Sequence, residues 1–304
     1  MRRKKIMQDS IFLEEQLKVI IPQACKTKFP GLTAKDVFPI DYSDGDGVDI
    51  IEWCSFKERN ISKILERYAA KDTPRVDVSK KNFIEVFSVR SSFSYSIDEI
   101  KKAQRTGVSL DAKKVVLALK ENAKIIEKLA FKGDEQLGTQ GILNHSTIPR
   151  FAPLQNSLGK TSWKEKTSQE KLNDLNEMFN TITKTTNEME TPDSVALASD
   201  LYNTLHDTPY SDTDAIPIIE IFKQSKPEIK NIYKVPYFNK AGENGSDVIM
   251  FFKKDPQKIV LKIPHETEFL PIQAHRLEYV IFTRLRVAGV VVFEPLSCLI
   301  GEGF

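Results

Sequence analysis

The chain has 304 residues, 40% of them apolar and 28% charged, enough to bury a core in one elaborate domain or two lobes. Its formal charge of +2 is too weak a bias for a dedicated nucleic-acid binder, which carries a basic domain or stripe. No apolar run is long enough for a membrane-spanning helix, and the basic N-terminus MRRKKIMQDSIFLEEQ is interrupted by Gln8, Asp9, Glu14 and Glu15, so it lacks the apolar core of a signal peptide.

The elements follow in chain order. Residues 9–21 predict a helix, with Asp9 or Ser10 as cap, Leu13, Leu17 and Ile20 on one face, and Pro22 as its end. KFPGLTAKDVFPI is a loop with two X-Pro boundaries, and SDGDG at 43–47 is a turn. VDIIEWCSF at 48–56 reads as a strand with Val48, Ile50, Cys54 and Phe56 on one side. The densely charged excursion 57–80 has little to bury. A second long strand is expected in KNFIEVFSVRSSFSYSI, where Phe83, Phe87, Val89, Phe93, Tyr95 and Ile97 alternate with a wet, serine-rich side. Two strands around a charged excursion describe a protruding, hairpin-like arm.

A short helix over 97–106 precedes the main helix at 111–132, capped by Ser109 or Asp111. Its apolar stripe is Ala112, Val115, Val116, Leu119, Ala123, Ile126, Leu129 and Ala130. Lys113, Lys120, Glu121, Lys124, Glu127 and Lys128 are expected to point away from the core. The next stretch, FKGDEQLGTQGILN, reads as a helix stop: Gly133 suits a left-handed position, and Gly141-Ile142-Leu143-Asn144 re-enters the core. A third helix is predicted over 168–186, a short strand in SVALA, and helices in SDLYNTL and, after Ser211 or Asp212, in TDAIPIIEIFKQ. IKNIYKVPYF, DVIMFFKKD and KIVLKIP read as strands. RLEYVIFTRLRVAGVVVFEPLSCLI closes the chain as a long strand pattern. The mixture is α+β, without internal repeats.

Candidate chemistry is sparse. QNSLGKT at 155–161 has the end of a phosphate loop, but Leu154 stands where a glycine is needed. Asp41, Asp44, Asp46, Asp49 and Glu52 are out of register for a calcium loop and read as a polar turn. His145, His206, His265 and His275 are far apart and make no metal-binding spacing. Cys25, Cys54 and Cys298 form no C-x-x-C pair and read as reduced thiols of a cytoplasmic protein. No nucleophile elbow is present. Asp134 and Glu135 could pair as acid and base, but they lie at a helix C-terminus, which already carries partial negative charge. No catalytic, cofactor-binding or metal residue is therefore assigned, no cofactor is expected, and the chain is not expected to be an enzyme. Arg2, Arg3, Lys4 and Lys5 form a basic arm, either a solvated tail or a contact with an enclosed polyanion.

The order of these elements resembles a major capsid protein of the Hong Kong 97-type fold, shared by tailed phages and encapsulin shells. The resemblance covers nearly the whole chain. It rests on the long helix followed by Gly133-Asp134 and Gly141-Ile142-Leu143-Asn144, on FPGLTAKDVFPI, on the strand pair around 48–56 and 82–97, and on DPQKIVLKIP, PIQ at 271–273 and RVAGVVVFEP. It implies an N-terminal arm (1–40), an E-loop (41–94), a P-domain with a spine helix (95–150), an A-domain (151–262) and a return to the P-domain with closing strands (263–304). It further implies an icosahedral shell of pentamers and hexamers around double-stranded DNA held non-specifically, assembled in the host bacterial cytoplasm without a membrane. Scaffolding, portal and decoration proteins would be separate chains. The alternative is an encapsulin-type compartment around an enzyme cargo. Some relatives cross-link an E-loop lysine to a neighbour's asparagine. Lys57, Lys63 and Lys71 lie in that region, but no motif supplies a partner, and the chemistry is not carried over. An arm and a charged loop that cannot pack on their own subunit need neighbours, and repeated interfaces turn weak contacts into a stable wall.

Overall fold

A computed structural model describes residues 2–56, 78–156, 159–211 and 215–304 of the chain. The charged excursion at 57–77, with Lys57, Lys63 and Lys71, lies outside the described residues, as do Asp212 and the middle of QNSLGKT.

Helix α1 (Arg2–Cys25) opens the chain and buries Leu13, Leu17, Ile20 and Ala24 on one face. Pro22 does not end it. The proline lies in the exposed side of the last turn, where water can take the bond its ring cannot make. The backbone of the basic residues 2–5 is part of this helix; their side chains lie outside the description. Helix α2 (Ala34–Val37) and strand β1 (Ile40–Asp41) follow.

Strands β2 (Ile50–Phe56) and β3 (Val78–Glu85) pair antiparallel as a two-stranded ribbon, and β4 (Phe87–Ser96) continues from it. The expected single strand is thus two. At Val86 the alternation slips by one residue: Ile84 and Val86 face inward before the break, Phe87, Val89, Phe93 and Tyr95 after it. A slip of one residue exchanges the faces of a strand, so Phe83, expected on the apolar side, is 68% exposed. In β2 likewise, Ile51 is buried and Ile50 exposed, opposite to the expected side. One face of the ribbon, with Ile51 and Ile84, packs beside Ala288, while the face with Ile50 and Phe83 is open, so apolar alternation here does not tell which face is buried.

Helix α3 (Ile97–Thr106) has a reciprocal capping box between Ser96 and Glu99. Helix α4 (Lys113–Phe131) is about 30 Å long, and Asp111 accepts a hydrogen bond from the Lys113 N–H at its start (2.9 Å). A tight hairpin of β5 (Gly133–Asp134) and β6 (Thr139–Gln140) and the short β7 (Arg150–Phe151) lead to α5 (Ser168–Thr185). Strand β8 (Ser194–Ala198), α6 (Ser199–Asp207), α7 (Ile218–Ser225), β9 (Asn231–Val235), β10 (Val248–Phe252) and β11 (Ile259–Lys262) come next. Helix α7 starts only after Pro217, which is favoured at a helix start and disfavoured inside. Strands β12 (His265–Phe269) and β13 (Gln273–His275), which no sequence pattern announces, precede the closing segment. That segment is three strands, β14 (Glu278–Val287), β15 (Gly289–Val292) and β16 (Cys298–Glu302). Gly289, at φ +115°, and Pro295 break it.

Two lobes result. In the first, β4 pairs along the full length of β14, whose other edge carries β12 and β13. Helices α1, α3 and α4 pack on one face of this sheet around Leu13, Leu17, Phe93, Tyr95, Ile100 and Val115. In the second, the sheet order is β7-β16-β10-β8-β9, so the last strand joins the lobe built by the middle of the chain. A three-stranded sheet, β1-β11-β15, contributes Ile259, Leu261, Val290 and Val292 to the second lobe's core. Helix α4 serves both cores, because Ile126, Leu129, Ala130 and Phe131 belong to the large cluster that includes β8, β10, β11, β15 and β16.

Candidate assembly surface

The arm is anchored at its root by charge. Arg284 and Arg286 lie on the face of β14 turned away from the helices, and Lys262 ends β11. Arg284 donates two hydrogen bonds to the Asp46 carboxylate (2.9 and 2.6 Å). Arg286, with its side chain buried, donates to the Val48 carbonyl (2.7 Å) and to Asp49 (2.6 Å). Lys262 reaches both Asp41 (2.6 Å) and Asp44 (2.9 Å). Burial raises the Asp41 carboxyl, but the hydrogen bonds from Lys262 and Ser43 outweigh it and hold its pKa at about 2. Burial likewise opposes the Lys262 charge, and its two carboxylate partners still raise its pKa. The acidic turn is a charged clamp. A small apolar cluster of Ile51, Val86 and Ala288 sits beside it, and Trp53 meets Phe293 edge-on at 6.1 Å. Beyond this root, β2 and β3 pack chiefly on each other.

A cleft of ≈ 400 Å³ opens between the ribbon and the body, lined by Trp53, Phe83, Leu137, Gln140, His145 and Val290 among others. Burial first, then the nearby Arg150 cation, lowers the His145 pKa. Phe83 and Leu137 (46% exposed) project from its rim.

The end of α4 explains FKGDEQLGTQGILN. Gly133 has φ +72°, and a Cβ there would stand 2.3 Å from the Thr139 carbonyl oxygen. A Cβ on Gly141 would meet the Gly133 nitrogen at 2.5 Å. The two glycines let the backbones touch. The returning chain then satisfies the helix end: Ile142 N–H donates to the Ala130 carbonyl and Leu143 N–H to the Phe131 carbonyl, both 2.9 Å. Asn144 Oδ1 accepts from Gly141 N–H (2.7 Å). Asp134 pairs with Lys128 and its Oδ1 accepts from Gln136 N–H (3.0 Å). Glu135 is exposed.

Three polar features were not legible in the sequence. Glu127, expected to point to solvent, is 3% exposed. Its carboxylate accepts from the Thr33 N–H (2.9 Å), the Thr33 hydroxyl (3.2 Å) and the Ala34 N–H (2.8 Å), capping α2 from 93 and 94 residues away. Asn122 is buried and bonds Ser91 and Thr283 across the sheet. Asp174 is buried with Lys166 (2.6 Å) and the Trp163 indole N–H (2.8 Å). Each depends on a partner distant in sequence or held by a loop, so no local signal announces it. Among the described residues no group of His, Cys, Asp and Glu could hold a metal ion, and no helix is long and apolar enough to cross a membrane. Cys298 is a buried thiol whose pKa burial pushes up to about 12.

A protein-family model described as major capsid protein matches residues 63–303. No curated protein matches. Among solved structures, the chain is similar to the capsid of Myoviridae phage XM1, with a TM-score of 0.72 and 14% identity over 92% of this chain and 94% of that one. It is also similar to a virus-like particle from Pyrococcus furiosus (TM-score 0.62, 13% identity, 95% and 98% covered). The capsid of an empty GTA particle gives 0.59 and 9% identity over 91% and 90%. At these identities the likeness is one of fold.

Proposed function

The chain belongs to the major capsid protein family and has the Hong Kong 97-type fold, and from that premise we propose that it self-assembles into an icosahedral shell of pentamers and hexamers enclosing the double-stranded DNA of a tailed phage or prophage. It is the structural wall of a virion, not an enzyme, and is assembled in the host bacterial cytoplasm. Scaffolding, portal and decoration proteins are separate partners.

The observation that carries this reading is the family match over 63–303. The ribbon supports it: β2 and β3 hold to the body through a charged root and a small apolar cluster on one face, and present Phe83 to solvent on the other. Such an arm gains burial only against a neighbouring copy. In this reading residues 1–40 are the N-terminal arm, 41–94 the E-loop, 95–150 the P-domain with α4 as spine, and 151–262 the A-domain. Residues 263–304 return to the P-domain, with β16 closing the A-domain sheet. The likeness to the Pyrococcus furiosus virus-like particle favours a second reading, an encapsulin-type shell around an enzyme cargo.

Negative-stain microscopy of the expressed protein, with assay of particle contents, tests both. Closed icosahedral particles holding nucleic acid are expected. A co-purifying enzyme inside nucleic-acid-free particles would favour the second reading, and a discrete small oligomer would refute both.

A further inference from the structure

Three times in the chain an aspartate or asparagine is followed by glycine: Asp44-Gly45, Asp46-Gly47 and Asn244-Gly245. Glycine has no Cβ to shield its backbone nitrogen. That nitrogen can attack the preceding side-chain carbonyl carbon and close a cyclic imide. An asparagine loses ammonia in this step, and an aspartic acid loses water. Water then opens the imide at either carbonyl, leaving aspartate or a β-linked isoaspartate.

The structure separates the three. Lys262 pairs with the Asp44 carboxylate at 2.9 Å, and Arg284 donates to both carboxylate oxygens of Asp46 (2.9 and 2.6 Å). A carboxylate held by a cation has no hydroxyl to lose, and its charge repels a nucleophile. Asn244 is the opposite case. Its neutral amide is exposed and makes no hydrogen bond among the described residues. Apart from its chain neighbours, nothing lies within 4 Å of the position a Cβ on Gly245 would take, so a ring has room to close. Asn244 is left-handed (φ +55°, ψ +23°), and the Gly245 N–H donates to the Gly242 carbonyl (3.1 Å). That bond holds the attacking nitrogen in a short, exposed turn, and such turns open without global unfolding.

We propose that Asn244-Gly245 is a site of spontaneous deamidation, and that its product loosens the closing strand β16. The Gly245 nitrogen bonds to Asn244 Cγ, the C–N bond of the side-chain amide breaks, and the departing ammonia carries off the Gly245 proton. Hydrolysis of the imide consumes one water, so the sequence needs no oxidant, metal or second protein. The turn is tied to the end of the chain on both sides of Asn244. Glu243 N–H donates to Glu302 Oε2 (3.0 Å), and Gly303 N–H donates to Ser246 Oγ (3.0 Å). Glu302, the last residue of β16, also pairs with Arg150 of β7. An isoaspartate adds a methylene to the backbone between these two anchors, so they cannot both keep their geometry. Either product also places a new carboxylate next to Glu243, whose backbone is held by Glu302, and like charges this close repel.

Incubating the purified full chain at mildly alkaline pH tests this. The tryptic peptide 241–253 should gain the mass of an amide-to-acid conversion with time, faster at higher pH because the attacking nitrogen reacts deprotonated. It should split into two forms, of which one accepts methyl groups from an isoaspartate methyltransferase. Asn239, whose side chain accepts from the Ser199 N–H and which precedes a lysine, should stay intact. Asp46 should form isoaspartate only once Arg284→Gln removes its cation. A native chain that keeps the Asn244 amide while a synthetic 241–253 peptide loses it overturns the site. Equal conversion at Asn239, or isoaspartate at Asp46 in the natural chain, overturns the selection by structure. The consequence is read by melting. The converted chain should melt at a lower temperature than the fresh one. Asn244→Gly, which suits a left-handed position and removes the amide, should melt alike before and after incubation. A fully converted chain with an unchanged melting temperature overturns the loosening of β16.

Discussion

Single residues decide how α4 ends and what it holds. Gly133 combines φ +72° with a backbone oxygen 2.3 Å from where a Cβ would stand. Gly133→Val should therefore cost on the order of 3 kcal/mol, from the left-handed backbone and the clash together. The melt of the unassembled subunit reads this out, and an unchanged melting temperature would contradict it. Glu135→Gln, at an exposed position of the same turn, should leave both melt and particles as they are. Glu127 is the opposite case, a buried carboxylate with a structural task. Glu127→Ala leaves the Thr33 and Ala34 N–H groups without their acceptor and should cost about 1–3 kcal/mol. Burial is the largest influence on this carboxyl and raises its pKa; the hydrogen bonds from Thr33 and Ala34 offset that only in part. A raised carboxyl binds its proton more readily folded than unfolded. Its contribution therefore favours the fold as pH falls from the raised value toward the ordinary glutamate value, and is a cost above that window. Melts across mildly acidic pH should show this slope in the natural subunit and lose it in Glu127→Gln; identical slopes would show that Glu127 does not titrate there.

At the scale of elements, folding and assembly should separate. The clamp of Lys262, Arg284 and Arg286 on Asp41, Asp44, Asp46 and Asp49 fixes the root of the β2–β3 ribbon, while the ribbon itself adds little to either core. Replacing residues 58–78 by a short Gly-Ser turn should preserve circular dichroism and a cooperative melt, since closing two paired strands with a short loop costs little entropy. Closed shells should fail to form or become fragile. A monomer that no longer folds would mean the segment packs within its own domain, and normal shells would remove the ribbon from the assembly contacts.

For the whole molecule, assembly should add stability that the lone subunit lacks. Any partner that binds only the folded state shifts the unfolding equilibrium by mass action, and in a shell each copy is such a partner. Calorimetry should give a higher melting temperature for closed particles than for dissociated subunits at the same pH and salt. Equal temperatures would mean that the interfaces between copies bury too little to matter.

Much of this molecule follows from local pattern alone. The apolar spacing of α1, α4 and α5, the apolar runs within β8, β10 and β11, and the glycines at 133 and 141 are readable because period, burial and backbone sign are properties of consecutive residues. The order of those elements, with Gly133-Asp134 and Gly141-Ile142-Leu143-Asn144 after the long helix, is what made the capsid family recognisable. Only the tertiary structure decided which side of the ribbon is buried: Ile51 and Ile84 lie beside Ala288, while Ile50 and Phe83 on the other side are exposed. It alone decided that Glu127 turns inward to cap a helix more than ninety residues earlier, since that bond joins segments with no local relation. It also placed β16 in the sheet of the middle lobe: Cys298-Leu299-Ile300 is apolar enough for either core, and pairing with β10 and β7 is a choice between distant partners that no local signal encodes.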